Sequence, residues 1–205
     1  MKNKADSHPL KADSQTNMKI LVIDNYDSFT YNLVYILREL NDQVDIFRND
    51  KISLEEVGKY DKILLSPGPG IPSEAGILQD VVREYGPTKS ILGICLGHQG
   101  IGEVYGANLE NMTDVLHGIS DTAFVTDSEE RIFKGLPSEI KVGRYHSWTV
   151  IPETFTDDIK ITALDDKGRV MGLSHKKYDV KGLQFHPESV LTEHGKEMLQ
   201  NWLSI

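Results

Sequence analysis

One cysteine, Cys95, stands in the stretch Gly93-Ile94-Cys95-Leu96-Gly97-His98-Gln99-Gly100. A thiolate is a strong nucleophile, and the residues around this one suit that chemistry. The apolar run Ser90-Ile91-Leu92-Gly93-Ile94 leads in, and a glycine-rich turn and helix-forming residues follow. Strand, sharp turn and helix in this order make a nucleophile elbow. Such an elbow points the sulfur into the crevice at the carboxyl end of a parallel sheet, where the N–H groups of the next helix favour thiolate over thiol. Gly93 and Gly97 flank the sulfur two residues away on either side, where a tight elbow needs small residues or unusual backbone angles. Far along the chain, Gly182-Leu183-Gln184-Phe185-His186-Pro187-Glu188-Ser189 supplies a base and a carboxylate. Pro187 stiffens the turn, and residues 186 and 188 share one side of an extended segment, so Glu188 can reach the imidazole. Cys95, His186 and Glu188 together read as a Cys-His-Glu triad. Metal binding by the same three residues is disfavoured, because no second cysteine or ligand-spaced histidine pair accompanies them.

Two further segments have the composition of site loops. Ser66-Pro67-Gly68-Pro69-Gly70-Ile71-Pro72 is glycine-rich but lacks the Gly-Lys-Ser/Thr ending of a phosphate loop. Prolines alternating with glycines give a rigid loop with free N–H groups, which suits an oxyanion hole as well as a stiff surface turn. Gly143-Arg144-Tyr145-His146-Ser147-Trp148 packs polar and aromatic groups between two β-prone runs, and an edge strand is the alternative reading. His98, His117, His175 and His194 read as structural or solvent-exposed, and Asp127 to Arg131 as a solvated face.

These loops need a scaffold. Lys19–Ile23, Val44–Phe47, Lys62–Leu65 and Ile91–Ile94 are short apolar runs of the kind that form buried strands. Helical spacing of Leu33, Val34, Leu37 and Leu40 predicts a helix over Phe29–Leu40, capped by Asp27 or Ser28. Ser53 caps a short helix over Leu54–Val57, and Ile77–Glu84 is helical. Strands alternating with helices predict a doubly wound α/β fold, with a mostly parallel sheet flanked by helices and its site at the strand carboxyl ends. After Tyr105 a small antiparallel β extension is expected, from Thr122–Val125, Ile140–Val142 and Trp148–Ile151. Ile159–Leu164 and Arg169–Ser174 flank Asp165-Asp166-Lys167-Gly168, a hairpin turn. Leu183–Phe185 is the last expected strand, and Glu193–Leu203 the last helix.

The chain has 205 residues and a net charge of -9, which argues against wide contact with nucleic-acid backbone. A lone cysteine suits a reducing compartment, and no apolar run approaches the length of a membrane span, so a cytoplasmic protein is expected. Residues 1–17 are polar, without the apolar core of a secretory signal, and read as a disordered extension before a single domain over 18–205.

SPGPGIP at 66–72, GICLGHQ at 93–99 and FHPES at 185–189 resemble the class I (triad-type) glutamine amidotransferases. The opening LVIDNYDSFTYNL and the later VGRYHSW resemble, within that family, the glutaminase subunits of anthranilate synthase and aminodeoxychorismate synthase. The resemblance runs from about Met18 to the C-terminus. It implies hydrolysis of glutamine to glutamate and ammonia, with Cys95 as nucleophile, His186 as general base and acid, and Glu188 as orienting carboxylate. It implies an oxyanion hole from the N–H groups of Gly68 and Leu96, and glutamine held by Gly68, Gly70, Gln99, Ser147 and Trp148. The family usually has leucine at position 148 and lysine at 119, where this chain has Trp148 and Ile119. No cofactor is expected in this chain. Ammonia would pass to a larger, chorismate-binding synthase subunit that carries Mg²⁺, with Asn25–Thr30 as part of the surface facing it. A stand-alone γ-glutamyl cysteine hydrolase and a non-catalytic binding module are the competing classes.

Overall fold

A computed structural model describes residues 18–112 and 117–205. The expected N-terminal extension, residues 1–17, lies outside the described residues.

Four strands follow the first apolar runs: β1 (Ile20–Asp24), β2 (Val44–Arg48), β3 (Lys62–Leu65) and β4 (Ser90–Ile94). Every residue of β1 and β3 is buried, as a strand covered on both faces requires. Alternation then sorts the side chains. Ile20, Val22, Leu64, Leu92 and Ile94 face one layer, which holds α1 (Thr30–Leu40) and α5 (Gly195–Leu203). Leu21, Ile23, Ile63, Leu65 and Ile91 face the other, which holds α2 (Leu54–Val57), α3 (Leu78–Tyr85) and α4 (Leu96–Val104). The result is a three-layer α/β fold with a core on each face of the sheet.

The remaining strands are β5 (Leu109–Asn111), β6 (Ile119–Val125), β7 (Glu139–Arg144), β8 (Trp148–Val150), β9 (Ile159–Leu164), β10 (Val170–His175) and β11 (Val180–Leu183). The main sheet has nine strands in the order β2-β1-β3-β4-β11-β10-β9-β6-β7. The pairs from β2 to β11 are parallel, and those from β11 to β7 are antiparallel. The antiparallel extension therefore continues the same sheet, while β5 and β8 form a separate antiparallel pair. The neighbours β3, β4 and β11 carry at their carboxyl ends the Pro-Gly loop, the cysteine turn and the His-Pro-Glu segment. Sheet order alone brings these distant segments together.

Several boundaries differ from expectation. The last strand is Val180–Leu183 rather than Leu183–Phe185: Gln184 N–H still donates to Met171 O at 3.0 Å, and the chain then bends. Phe185 is fully buried but outside the sheet. The N-cap of α1 is Phe29, and Asp27 acts one step earlier by accepting the Phe29 N–H at 2.7 Å. Ser53 caps α2 as expected, in a capping box with Glu56. Glu130, expected on a solvated face, is buried and accepts the Ile132 N–H, because Ile132 and Phe133 next to it enter the core.

Candidate active site

Cys95 joins β4 to α4 with φ 52° and ψ -100°. A side chain at positive φ is strained by about 1–2 kcal/mol, and such strain clusters at functional turns. The turn is held by its neighbours. Cys95 N–H donates to Leu183 O of β11 at 2.8 Å. A Cβ at Gly93 would lie 2.5 Å from Gly97 O, and one at Gly97 would lie 2.8 Å from Leu65 Cβ. Both glycines are thus required for close approach of strand, turn and helix, and only Cys95 carries the unusual backbone angle. Cys95 is 6% exposed.

His186 and Glu188 come together differently from expectation. The segment is a tight turn, closed by Ser189 N–H donating to His186 O at 3.2 Å, and not an extended stretch. Pro187 takes the second position of that turn, where its fixed φ is favourable. The turn brings His186 Nδ1 to 2.7 Å from Glu188 Oε1. A carboxylate accepts, so Nδ1 carries the proton and Nε2 is left for Cys95. Nε2 makes no hydrogen bond among the described residues, and Cys95 faces it without closing one. Looseness of this kind is common in catalytic sites without substrate. Burial is the largest single influence on His186 and lowers its pKa. The neighbouring Cys95 sulfur and the bonded Glu188 carboxylate together outweigh burial and hold it up at about 10. The rings of Tyr145 and Phe29 stand edge-on to the imidazole, with centroids at 4.9 and 5.6 Å.

The Pro-Gly loop is clipped in place by Asn25. Its N–H donates to Ser66 Oγ at 2.9 Å, its Nδ2 to Ser66 O at 2.8 Å, and its Oδ1 accepts from Asn49 Nδ2. Asn25 and Thr30 are therefore buried, and Tyr26 and Ser28 are what the 25–30 segment presents to solvent. A Cβ at Gly68 would lie 2.6 Å from Leu96 Cδ2 and 2.7 Å from Asn25. The loop thus lies against the first turn of α4, beside the Leu96 N–H, which has no carbonyl of its own helix to bond. Gly70 has φ 74°, a value glycine adopts without strain.

These parts enclose a cleft of about 160 Å³, lined by Gly68, Pro69, Gly70, Cys95, Gln99 and residues 145–148. Gln99 Nε2 donates to Trp148 O at 2.9 Å and to Gln184 Oε1 at 3.2 Å. Gln184 Nε2 in turn donates to Cys95 Sγ at 3.7 Å. The triad residues and Gly68, Gly70, Leu96, Gln99, Ser147 and Trp148 thus meet at one place. Gln184, which sequence reading does not single out, belongs there too, as do Tyr145 and His146, which it gives only as part of the 143–148 segment. Two signals for them stand in the motifs: Gln184 lies two residues before His186, and Tyr145-His146 directly before Ser147. Residues 145–147 form a loop between β7 and β8, not an edge strand. Among the described residues no group of His, Cys, Asp and Glu has the arrangement to hold a metal ion. No helix of the described residues is long and apolar enough to cross a membrane.

A nucleophile on a strained elbow, an imidazole oriented by a carboxylate, and backbone N–H groups beside them can run acyl transfer through a thioester. The family model for glutamine amidotransferase class-I matches residues 21–205. The chain is 45% identical over 188 residues to an anthranilate synthase component 2 of Cyanophora paradoxa, covering 90% of this chain and 98% of that one. It is 42% identical over 186 residues to the aminodeoxychorismate synthase component 2 of Escherichia coli, covering 90% and 98%. Two longer relatives, named as multifunctional and bifunctional proteins, are spanned by this chain over only 25% and 32% of their length. A Thermoplasma acidophilum crystal structure, assigned to GMP synthase, superposes with a TM-score of 0.82 at 32% identity, over 91% of this chain and 92% of that one. With the family matched from β1 to the final residue, and relatives matched over almost their full length, this chain belongs to the class I glutamine amidotransferases.

Proposed function

We propose that this chain is the glutaminase subunit of an anthranilate synthase. The carrying observation is Cys95 at its strained elbow, lining a small cleft, with the His186–Glu188 pair packed against Tyr145 of the same lining. A cleft of about 160 Å³ suits one small amino acid, since drug-sized ligands take roughly 300–1,000 Å³.

Cys95 passes its thiol proton to His186 Nε2, and its sulfur attacks the side-chain amide carbon of glutamine. The developing oxyanion is met by the N–H groups of Gly68 and Leu96. His186 gives its Nε2 proton to the departing ammonia and a γ-glutamyl thioester remains. The imidazole then takes a proton from water, which attacks the thioester; the carbon–sulfur bond breaks, glutamate leaves, and the proton returns from His186 to the Cys95 sulfur. Glu188 keeps the proton on Nδ1 throughout and stabilises each imidazolium that forms. Gly70, Gln99, Ser147 and Trp148 hold the amino-acid end. The ammonia is consumed by a larger, chorismate-binding subunit, which carries the Mg²⁺ of its own reaction, in the cytoplasm.

A second reading has one specific support: the aminodeoxychorismate synthase relative is nearly as similar as the anthranilate synthase one, at 42% against 45%. The test is to mix the purified chain with the large subunit of each synthase and supply glutamine and chorismate. Glutamine-dependent anthranilate formation supports the first reading, and aminodeoxychorismate formation alone supports the second. Glutamine hydrolysis that neither large subunit changes would point to a stand-alone hydrolase.

A further inference from the structure

The 145–148 wall of the cleft is anchored from outside the triad. Arg144 ends β7 with its side chain fully buried. Its Nη1 donates to Asp165 Oδ2 at 2.7 Å and to Asp121 Oδ2 at 2.6 Å. Asp165 begins the hairpin turn between β9 and β10. Its Oδ1 accepts the N–H groups of Lys167 and Arg169 at 2.9 and 2.8 Å, and Arg169 Nε adds a bond to Oδ2. The turn thus fixes the carboxylate, and the carboxylate fixes the guanidinium.

The other edge of Arg144 meets His146, which lines the cleft. Arg144 Nε donates to His146 Nε2 at 3.1 Å. A guanidinium only donates, so Nε2 is the lone-pair nitrogen of a neutral imidazole and the proton sits on Nδ1. Nδ1 donates to the Trp148 carbonyl at 2.8 Å. Burial first, and then the Arg144 charge, push His146 down to about 3, so it remains an acceptor toward Arg144 at neutral pH. The Trp148 carbonyl also accepts from Gln99, which continues through Gln184 to Cys95 Sγ. One continuous network therefore sets the wall and the nucleophile in register.

We infer that Arg144 and His146 are positioning residues: the Asp165–Arg144–His146 chain fixes the Trp148 carbonyl and, through it, the distance of the Ser147–Trp148 wall from Cys95. This inference rests on the glutaminase reading. The wall would grip the amino-acid end of glutamine, remote from the scissile amide, so its loss weakens binding more than chemistry.

The experiment uses the chain assembled with its synthase partner, and the variants are His146→Ala, His146→Asn and Arg144→Lys. Asparagine keeps a donor near the Nδ1 position. Lysine keeps a cation for Asp165 but loses the Nε donor, and it stands in should His146→Ala not fold. His146→Ala and Arg144→Lys are expected to raise KM for glutamine about three- to tenfold, the worth of one neutral hydrogen bond, with kcat within about twofold. His146→Asn is expected to recover part of that rise. Alkylation of Cys95 by a glutamine-like chloroketone is expected to slow by a similar factor, while alkylation by iodoacetamide, which needs only a reactive sulfur, keeps its rate. Lower thermal stability with unchanged KM and an unchanged ratio of the two alkylation rates would overturn the inference. Equal slowing by both reagents would also overturn it, by placing the effect on Cys95 itself. A wild-type assembly that neither hydrolyses glutamine nor reacts preferentially with the chloroketone would remove the glutaminase reading, and the positioning role with it.

Discussion

Acid is expected to unfold this protein through two buried histidines that flank the site. His98 lies one turn into α4 with no exposed surface, and burial pushes it down to about 4. His146, in the cleft wall, is pushed down to about 3 by burial and then by the Arg144 charge. Both are neutral in the folded state at pH 5, whereas an unfolded histidine titrates near 6.5. The unfolded chain therefore binds more protons below that value, and stability must fall with pH. Their contribution is full above about pH 6.5 and is lost as the pH falls toward their folded values. Each proton costs about 1.4 kcal/mol per pH unit, so pH 5 removes about 2 kcal/mol per histidine and about 4 kcal/mol for the pair. That is a large part of a typical total stability of about 5–15 kcal/mol. His186 offsets only part of the loss: its pKa is raised, so its stabilisation is complete below about 6.5 and declines as the pH rises toward about 10, which returns somewhat under about 1 kcal/mol between pH 7 and pH 5 and leaves a net loss of about 3 kcal/mol. Asp165 contributes only at lower pH. Burial pushes it up, but hydrogen bonds from Arg169 and Arg144 prevail and hold it below the usual carboxylate range. The assay is urea unfolding followed by circular dichroism at pH 7 and pH 5. With a slope of about 2 kcal/mol per molar urea, the midpoint is expected to drop by roughly 1.5 M. His146→Gln should remove more than half of the difference between the two pH values, whatever it does to absolute stability. Midpoints that agree within a few tenths molar at the two pH values would refute the reasoning, because the two histidines would then titrate alike in both states.

Gly93→Ala places a methyl group 2.5 Å from Gly97 O and 2.7 Å from His98 N, so the elbow must open. A loss of at least about 3 kcal/mol in urea unfolding is expected, together with loss of glutamine hydrolysis, and a stable, active variant would contradict the packing argument. Glu188→Gln removes the charge 2.7 Å from His186 Nδ1 and should lower turnover by about a hundred- to ten-thousandfold, with a much smaller effect on KM for glutamine. Unchanged turnover in steady-state assays would remove Glu188 from the triad.

The parts of the site that are legible in sequence are those whose local rules and distant consequences agree. Gly93 and Gly97 frame Cys95 because strand, turn and helix must touch there, and glycine spacing records that need directly. The Asp165–Gly168 hairpin and the Ser53 cap are equally local. The role of Asp165 is not: its grip on Arg144 depends on β6, β7 and the β9–β10 turn meeting in space, which no periodicity reports. For the same reason Gly143–Trp148 is legible as a site loop or an edge strand but not the anchoring of His146 by Arg144, and Gln184 reads as a strand residue rather than a donor to Cys95. The His186–Glu188 pairing is legible although its geometry is not, because an extended segment and a Pro187 turn both bring residues i and i+2 to one side. The three-residue strand β5 carries too few apolar residues to stand out and exists through its pairing with β8.

Glutamine chemistry at Cys95, feeding ammonia to a second active site, is tested most directly by Cys95→Ser in the assembled synthase. Product formation is measured once with glutamine and once with an ammonium salt as the nitrogen source. Glutamine-dependent synthesis is expected to fall by at least about a thousandfold, since the nucleophile is gone. Ammonia-dependent synthesis is expected to stay within about twofold, because the second site is untouched. Glutamine-dependent synthesis that survives the substitution, or equal loss with both nitrogen sources, would contradict the account.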